Sequence, residues 1–142
     1  MGKEIGNYVS YKQLFLDYMN AEGIRYTDEG EFRVRVAYSG DNLKSIPVYV
    51  FFDKDGDPIV QFKCWNIATF KNKDEVGMKV CNAMNAKWRW IKFYIDSDSD
   101  VISECDAYVD AETCGETCLR LVKRMVNITD DAYPDIAKAL WS

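Results

Sequence analysis

The stretch Cys81–Asp110 constrains the fold more than any other part of the sequence. It predicts the end of a helix, a strand over Trp88–Ile95, an acidic turn over Asp96–Asp100 and a return strand over Val101–Val109. In both strands, apolar residues alternate with others along much of the length. This alternation is typical of strands, because successive side chains point to opposite faces of a sheet. A helix followed by a two-stranded hairpin is therefore expected here.

Periodicity and turn residues divide the rest of the chain into further elements. The predicted elements are a loose start over 1–7, a helix from Tyr8 to about Glu22, strands over about 32–38, 46–52 and 59–65, a second helix over about 72–86, a third helix over about 111–125, a linker over 127–131 and a last short helix over about 132–140. Ser10, Asn72 and Thr113 each precede Gln or Glu by three residues, which is the spacing of a capping box. The order is α-β-β-β-α-β-β-α, and it predicts an α+β protein with helices packed on one face of an antiparallel sheet. The order of strands within the sheet is left open.

Composition limits the classes of function that the chain could have. With 142 residues, 48% of them apolar, it is long enough for one domain over 1–142 with its own core. The net charge of −5 disfavours a general nucleic-acid binder and docking on anionic lipid. No apolar run approaches the roughly 18 residues of a membrane span. Neither a nucleic acid nor a membrane is therefore expected as a partner.

The chain has no histidine, and its five cysteines form no C-x-x-C motif. Histidine is the commonest metal ligand and the side chain most used as a base near neutral pH. An odd number of cysteines without a signal peptide favours free thiols in the cytoplasm. Cys114 and Cys118 lie four residues apart, so both are expected to face the core. The sequence predicts no catalytic residue, no cofactor and no metal ligand.

Two acidic turns and one pair of carboxylates could still carry chemistry. Asp53–Pro58 and Asp96–Asp100 resemble calcium loops, but both lack a correctly placed glycine and glutamate, so plain turns are favoured over metal sites. Glu104 and Asp106 would lie side by side on one strand face, as a solvated face or as an acid–base pair. Asn82 and Asn85 end the second helix, either as ordinary caps or with side chains bonded to a neighbouring strand or loop.

The element order resembles that of the YbjN family, bacterial domains also described as sensory transduction regulators. The resemblance rests on Asn82, Asn85, the strand Trp88–Ile95, the turn Asp96–Asp100 and the helix at Cys114–Met125. It implies a fold similar to that of type III secretion chaperones, which are small, acidic, dimeric α+β proteins. It also implies a non-enzymatic binding or regulatory role in the bacterial cytoplasm, and it supplies no catalytic residues.

Two functions from different classes therefore stand as hypotheses. The first is a chaperone-like homodimer that binds an extended segment of a protein partner through an apolar surface or a sheet edge. Its candidate partner-binding residues, which could instead be core, are Trp65, Trp88, Trp90 and Tyr94. The second is a small-ligand sensor or a small enzyme that uses Glu104 and Asp106. Neither hypothesis identifies the partner or the ligand.

Overall fold

The computed structural model describes residues 9–142, so the predictions for the loose start and for Tyr8 lie outside it. The elements are α1 (Tyr11–Ala21), β1 (Thr27–Asp28), β2 (Arg33–Tyr38), β3 (Ile46–Phe52), β4 (Ile59–Cys64), α2 (Asp74–Lys87), β5 (Lys92–Ile95), β6 (Val101–Tyr108) and α3 (Cys114–Trp141). The predicted order is confirmed, apart from the added two-residue strand β1 and the fusion of the last two helices.

The strands form one antiparallel sheet in the order β1-β2-β3-β4-β6-β5. One face carries the apolar residues of every long strand, and cross-strand pairs such as Val34 with Val50 and Phe62 with Cys105 hold them in register. The buried residues of this face are Val34, Val36, Ile46, Val48, Val50, Phe52, Val60, Phe62, Cys64, Phe93, Val101, Ser103 and Cys105. Burial of this face by the helices forms the core, and the predicted α+β class is confirmed.

All three helices pack on that apolar face. α3 crosses β3, β4 and β6, and α1 and α2 pack beside it. Gly115 of α3 lies against Tyr18 of α1, and a Cβ atom added to Gly115 would come within 2.2 Å of the Tyr18 Cβ. Gly77 of α2 approaches Ile95 and Phe70 in the same way. These glycines allow the helices to pack more closely than a side chain would permit.

Only one of the three predicted helix caps forms as expected. The Ser10 hydroxyl accepts a hydrogen bond from the Gln13 N–H at 3.1 Å, although the Gln13 side chain bonds to Asp17 rather than returning to Ser10. Asn72 does not cap α2, which begins after Lys73 without a side-chain cap. Thr113 likewise caps nothing with its side chain. Its hydroxyl instead donates to Asp110, which also accepts the Thr113 N–H.

The predicted linker over 127–131 is wrong, because α3 continues without a break to Trp141. Two polar residues in this part of α3 are buried and bonded to distant elements. The Thr129 hydroxyl lies 2.9 Å from that of Ser103 on β6. The Asp130 carboxylate accepts the backbone N–H groups of Asp41, Asn42 and Leu43, each at 2.9 Å. These contacts favour helix where the local sequence alone favoured a loop.

The predicted strand over Trp88–Ile95 is too long, since β5 begins only at Lys92. Trp88 ends α2 as its C-cap, and Trp90 has a φ of 78°, a left-handed value that does not occur in a regular strand. The sequence from Trp88 to Ile91 is therefore a connection between helix and strand. For this reason the tryptophans do not alternate with Tyr94 on a common strand face.

Candidate functional site

The second face of the sheet carries no helix within residues 9–142, and it is called the open sheet face below. Its side chains alternate with those of the core face along each strand. Its members include Arg33, Arg35, Tyr49, Phe51, Ile59, Gln61, Lys63, Trp65, Lys92, Tyr94, Ile102, Glu104, Asp106 and Tyr108. Most of these side chains are half-buried by one another, and the face therefore combines apolar contact area with charged groups.

Aromatic side chains form the centre of the open sheet face. The rings of Tyr49 and Trp65 stack with their centroids 4.2 Å apart and their planes 5° from parallel. Phe51 tilts against Trp65 at 5.9 Å, and the Arg33 guanidinium lies 5.6 Å from the centre of the Tyr49 ring. Stacked rings beneath a guanidinium present a rigid surface that suits contact with protein, because large rings lose little conformational entropy on binding.

Glu104 lies beside this aromatic cluster, and it is buried. Gln61 donates to its Oε2 at 3.1 Å, and the ammonium groups of Lys63 and Lys92 lie 3.9 and 3.6 Å from its two oxygens. The sequence favoured a solvated strand face for both Glu104 and Asp106. That prediction is wrong for Glu104, which is buried, and it is confirmed for Asp106, which is exposed. The Gln61 hydrogen bond and the two lysine ion pairs engage the oxygens of Glu104, so the group is better suited to holding strands together than to removing a substrate proton.

Tyr94 joins the same network from β5. Burial, a hydrogen bond with Glu104 and the negative charges of Glu104 and Asp96 together raise the pKa of Tyr94 to about 12. The Lys92 ammonium group lies 5.7 Å from the centre of its ring. The neutral phenol can donate a hydrogen bond to the buried carboxylate of Glu104, and this bond helps to fix the side chains of the open sheet face.

The four predicted partner-binding residues separate into different surroundings. Trp65 and Tyr94 lie on the open sheet face. Trp88 is half-buried against the core, where its indole N–H finds no acceptor among the described residues. Trp90 is 66% exposed in the connection between α2 and β5, and its ring lies beside the Arg124 guanidinium group. The candidate face is therefore smaller than predicted, and Trp90 belongs to a second surface.

This second surface is a groove of about 460 Å³ between the end of β6 and α3. It is called the edge groove, and it is lined by Trp90, Asp106, Ala107, Thr117, Arg120, Leu121 and Arg124. The guanidinium group of Arg124 lies 5.6 Å from the centre of the Trp90 ring. A cation and an exposed indole thus lie side by side next to a strand edge. Sequence reasoning missed Arg120 and Arg124, since nothing local connects them to β6.

Both acidic turns have the hydrogen bonds of ordinary turns. In the first, Asp53 accepts the N–H groups of Asp55 and Asp57 at 3.0 Å each. In the second, Asp96 accepts those of Asp98 and Asp100 at 2.9 and 3.0 Å. The three acids of the second turn have oxygens within 4.8 Å of one another, but exposed carboxylates commonly cluster in this way without an ion. The hydrogen bonds within each turn therefore explain why aspartates occupy these positions.

The five cysteines are buried free thiols. Cys114 and Cys118 both face the core, as their spacing predicted. Burial raises the pKa of Cys64 and Cys105 to about 12 each and that of Cys81 to about 11. A hydrogen bond between the Cys114 and Cys118 thiols, together with burial, raises the pKa of Cys118. The same hydrogen bond lowers the pKa of Cys114. The four buried thiols whose pKa is raised are therefore poor nucleophiles.

The fold and its surfaces define an α+β protein with one helix-covered sheet face and one open face. The chain belongs to the YbjN family, whose model, described as "Putative bacterial sensory transduction regulator", matches residues 14–138. The predicted resemblance is therefore confirmed. Comparison of the sequence with curated proteins finds no significant match.

A solved structure supports the same fold. The chain is similar to the "Crystal structure of YbjN, a putative transcription regulator from E. coli", with a TM-score of 0.64, 9% identity and coverage of 92% of this chain and 93% of that chain. At this identity the likeness shows the fold alone. The predicted similarity to secretion chaperones stays a prediction. Among residues 9–142, no helix combines the length and the apolar character needed to cross a membrane.

Proposed function

We propose that the chain is a non-enzymatic regulatory domain that acts by binding protein, and that it forms a homodimer through the open sheet face. The observation that carries this proposal is the Tyr49–Trp65 stack, with Phe51 and Arg33 beside it, on a sheet face that no described helix covers. Aromatic residues and arginine are enriched where proteins bind one another. The description of the family as a regulator supports the same role.

A second copy of the chain fits this face because its charges are self-complementary. Arg33 on β2 and Asp106 on β6 lie in the same row across the sheet, through Phe51 and Gln61. A two-fold axis parallel to the strands, between β3 and β4, would lay β2 of one copy over β6 of the other. Arg33 would then face Asp106 twice, which is the arrangement that an isologous interface requires.

The alternative of a carboxylate enzyme or a small-ligand sensor has less support. Glu104 is engaged by Gln61, Lys63 and Lys92, while Asp106 is exposed on the sheet. The two acids therefore do not share a dry pocket in which acid–base chemistry would be efficient. The free thiols favour a reducing compartment, and we infer that the protein acts in the cytoplasm.

Analytical ultracentrifugation over a range of concentrations tests the dimer. Arg33→Glu and Asp106→Arg should each weaken self-association by about tenfold or more, because each introduces like charges across the interface. The double variant should recover it. Trp65→Ala should also weaken it, whereas Lys79→Glu on the exposed side of α2 has a matched charge change and should not.

A wild-type protein that stays monomeric at every concentration would exclude the homodimer. A dimer that is insensitive to Trp65→Ala and to both charge reversals would exclude this face as its interface. Circular dichroism melting of each variant establishes that it is folded before its self-association is compared.

A further inference from the structure

We infer that the edge groove binds an extended, acidic peptide segment of a partner protein, which adds as a strand to the free end of β6. This inference rests on the proposed protein-binding function, but it concerns a surface distinct from the open sheet face. The bound peptide would have an extended backbone, carboxylate side chains and at least one apolar side chain.

The strand β6 is longer than the strand that covers it. β5 pairs with β6 from Val101 to Glu104, whereas β6 continues to Tyr108. The remainder of β6 pairs with β4 on one side and has no strand on its other side within residues 9–142. A free strand edge presents unpaired N–H and C=O groups that can bind an added strand.

The phase of the ladder shows which main-chain groups are free. The Val109 N–H donates to the Pro58 carbonyl at 2.9 Å. Because main-chain groups alternate in direction along a strand, Ala107 and Cys105 also turn theirs towards β4. Asp106 and Tyr108 therefore turn their N–H and C=O groups towards the open edge. The outer edge of β5 differs, because there the Asn85 side chain bonds both main-chain groups of Phe93.

The side chains around this free edge favour an acidic peptide. Arg120 and Arg124 of α3 line the groove, and Arg124 lies against Trp90. The Arg120 side chain is 72% exposed and pairs with the surface residue Glu116. Among the described residues that line the groove, Asp106 is the one carboxylate. The lining itself thus presents two guanidinium groups and one carboxylate, and this balance favours an acidic ligand over a basic one.

The same features disfavour a second copy of the chain as the occupant. Antiparallel pairing of two β6 edges around a two-fold axis would bring both arginine pairs to the same side of the joined sheet. The like charges would then repel each other across the junction. Trp90 and Leu121 instead offer an apolar wall for one side chain of a peptide, which alternates its side chains between the two faces of the added strand.

Fluorescence anisotropy with labelled octapeptides tests this inference. An alternating Asp-Val peptide should bind the full chain, and an alternating Lys-Val peptide should bind at least about tenfold more weakly. Arg124→Glu should reverse that preference. Trp90→Ala should weaken binding of the Asp-Val peptide, and Lys79→Glu should leave its affinity unchanged.

A matched pair of variants at Tyr108 tests the strand addition itself. Tyr108→Ala keeps the outward N–H, whereas Tyr108→Pro removes it without touching the bonds to β4. Binding that survives Tyr108→Ala and is lost in Tyr108→Pro, with unchanged melting temperatures, supports strand addition. Equal binding by both variants, or equal binding of both peptides to the wild type, would overturn the inference.

The outcome can be separated from that of the proposed homodimer. Self-association of the same samples is measured in parallel by ultracentrifugation. If the wild type dimerises but does not bind the Asp-Val peptide, the edge inference alone fails. If the wild type is monomeric and binds the peptide with the predicted dependence on Arg124 and Tyr108, the homodimer alone fails.

Discussion

The side-chain amide of Asn85 takes the place of a neighbouring strand for the backbone of Phe93. Its Oδ1 accepts the Phe93 N–H at 2.7 Å, and its Nδ2 donates to the Phe93 carbonyl at 3.0 Å. This contact joins the end of α2 to β5 and closes the outer edge of the sheet at that residue. Of the two interpretations that the sequence left open for Asn85, bonding to a neighbouring strand is the one that the structure contains.

Removal of this amide should destabilise the protein. We expect Asn85→Ala to lower the free energy of unfolding by about 1–3 kcal/mol, because two main-chain groups of Phe93 lose their partners. Urea denaturation followed by circular dichroism measures the change. Asn82→Ala, at an exposed position one helical turn earlier, is the control and should change stability by less than about 0.5 kcal/mol. Equal effects of the two substitutions would contradict the edge-closing role.

Asp130 should make stability depend on acidic pH. Burial acts to raise its pKa, but hydrogen bonds from the main chain of Leu43, Asp41 and Asn42 outweigh burial and hold the pKa below the ordinary value of 3.8. The ionised carboxylate therefore stabilises the native state above the unfolded pKa. This contribution is lost as pH falls through the lower, folded pKa.

The variant Asp130→Asn tests this linkage. At neutral pH it should lower the free energy of unfolding by about 1–3 kcal/mol, since an amide cannot accept all three N–H groups. Below the pKa of Asp130 in the unfolded chain, the difference in the free energy of unfolding between the variant and the wild type should narrow as the pH falls. Denaturation midpoints at a series of pH values provide the measurement, and a difference that stays constant through the acidic range would exclude the carboxylate as its cause.

Tyr94 should hold its proton well into the alkaline range. Its pKa of about 12 lies above the ordinary value of 10.0, so the neutral phenol contributes stability that is complete below the unfolded pKa and is lost as pH rises through the folded value. Ultraviolet titration of tyrosinate should show a late component that Tyr94→Phe removes. Tyr108→Phe, which alters an exposed residue, should leave that late component in place. An unchanged titration in Tyr94→Phe would refute the assignment.

Gly115 should resist substitution although it lies in a helix. Alanine is the better helix former, but its Cβ would come within 2.2 Å of the Tyr18 Cβ, an atom too near the backbone of α1 to move freely. We therefore expect Gly115→Ala to lower the free energy of unfolding by about 1–3 kcal/mol. Thermal denaturation followed by circular dichroism measures the change. Glu116→Ala, at the next and exposed position, is the control and should leave the free energy of unfolding nearly unchanged. A stabilised Gly115→Ala variant would show that α1 and α3 are less closely packed.

Local pattern was sufficient for much of the fold. Alternation of apolar residues identified the strands of the core face, and the Ser10 hydroxyl caps α1 at the predicted position. These features depend on residues that are near one another in the chain. The open sheet face was predicted only in part, because Trp65 and Tyr94 follow strand alternation while Trp88 and Trp90 lie outside any strand.

The sequence by itself determined the types of element, their order and the family to which the chain belongs. Tertiary structure decided that β6 lies between β4 and β5, that β5 starts at Lys92 and that α3 continues through Asp130. The physical reason is that these choices depend on partners elsewhere in the fold, such as the loop N–H groups that Asp130 binds from 87 to 89 residues away. A helix or strand boundary moves when such a bond outweighs the weak local preference.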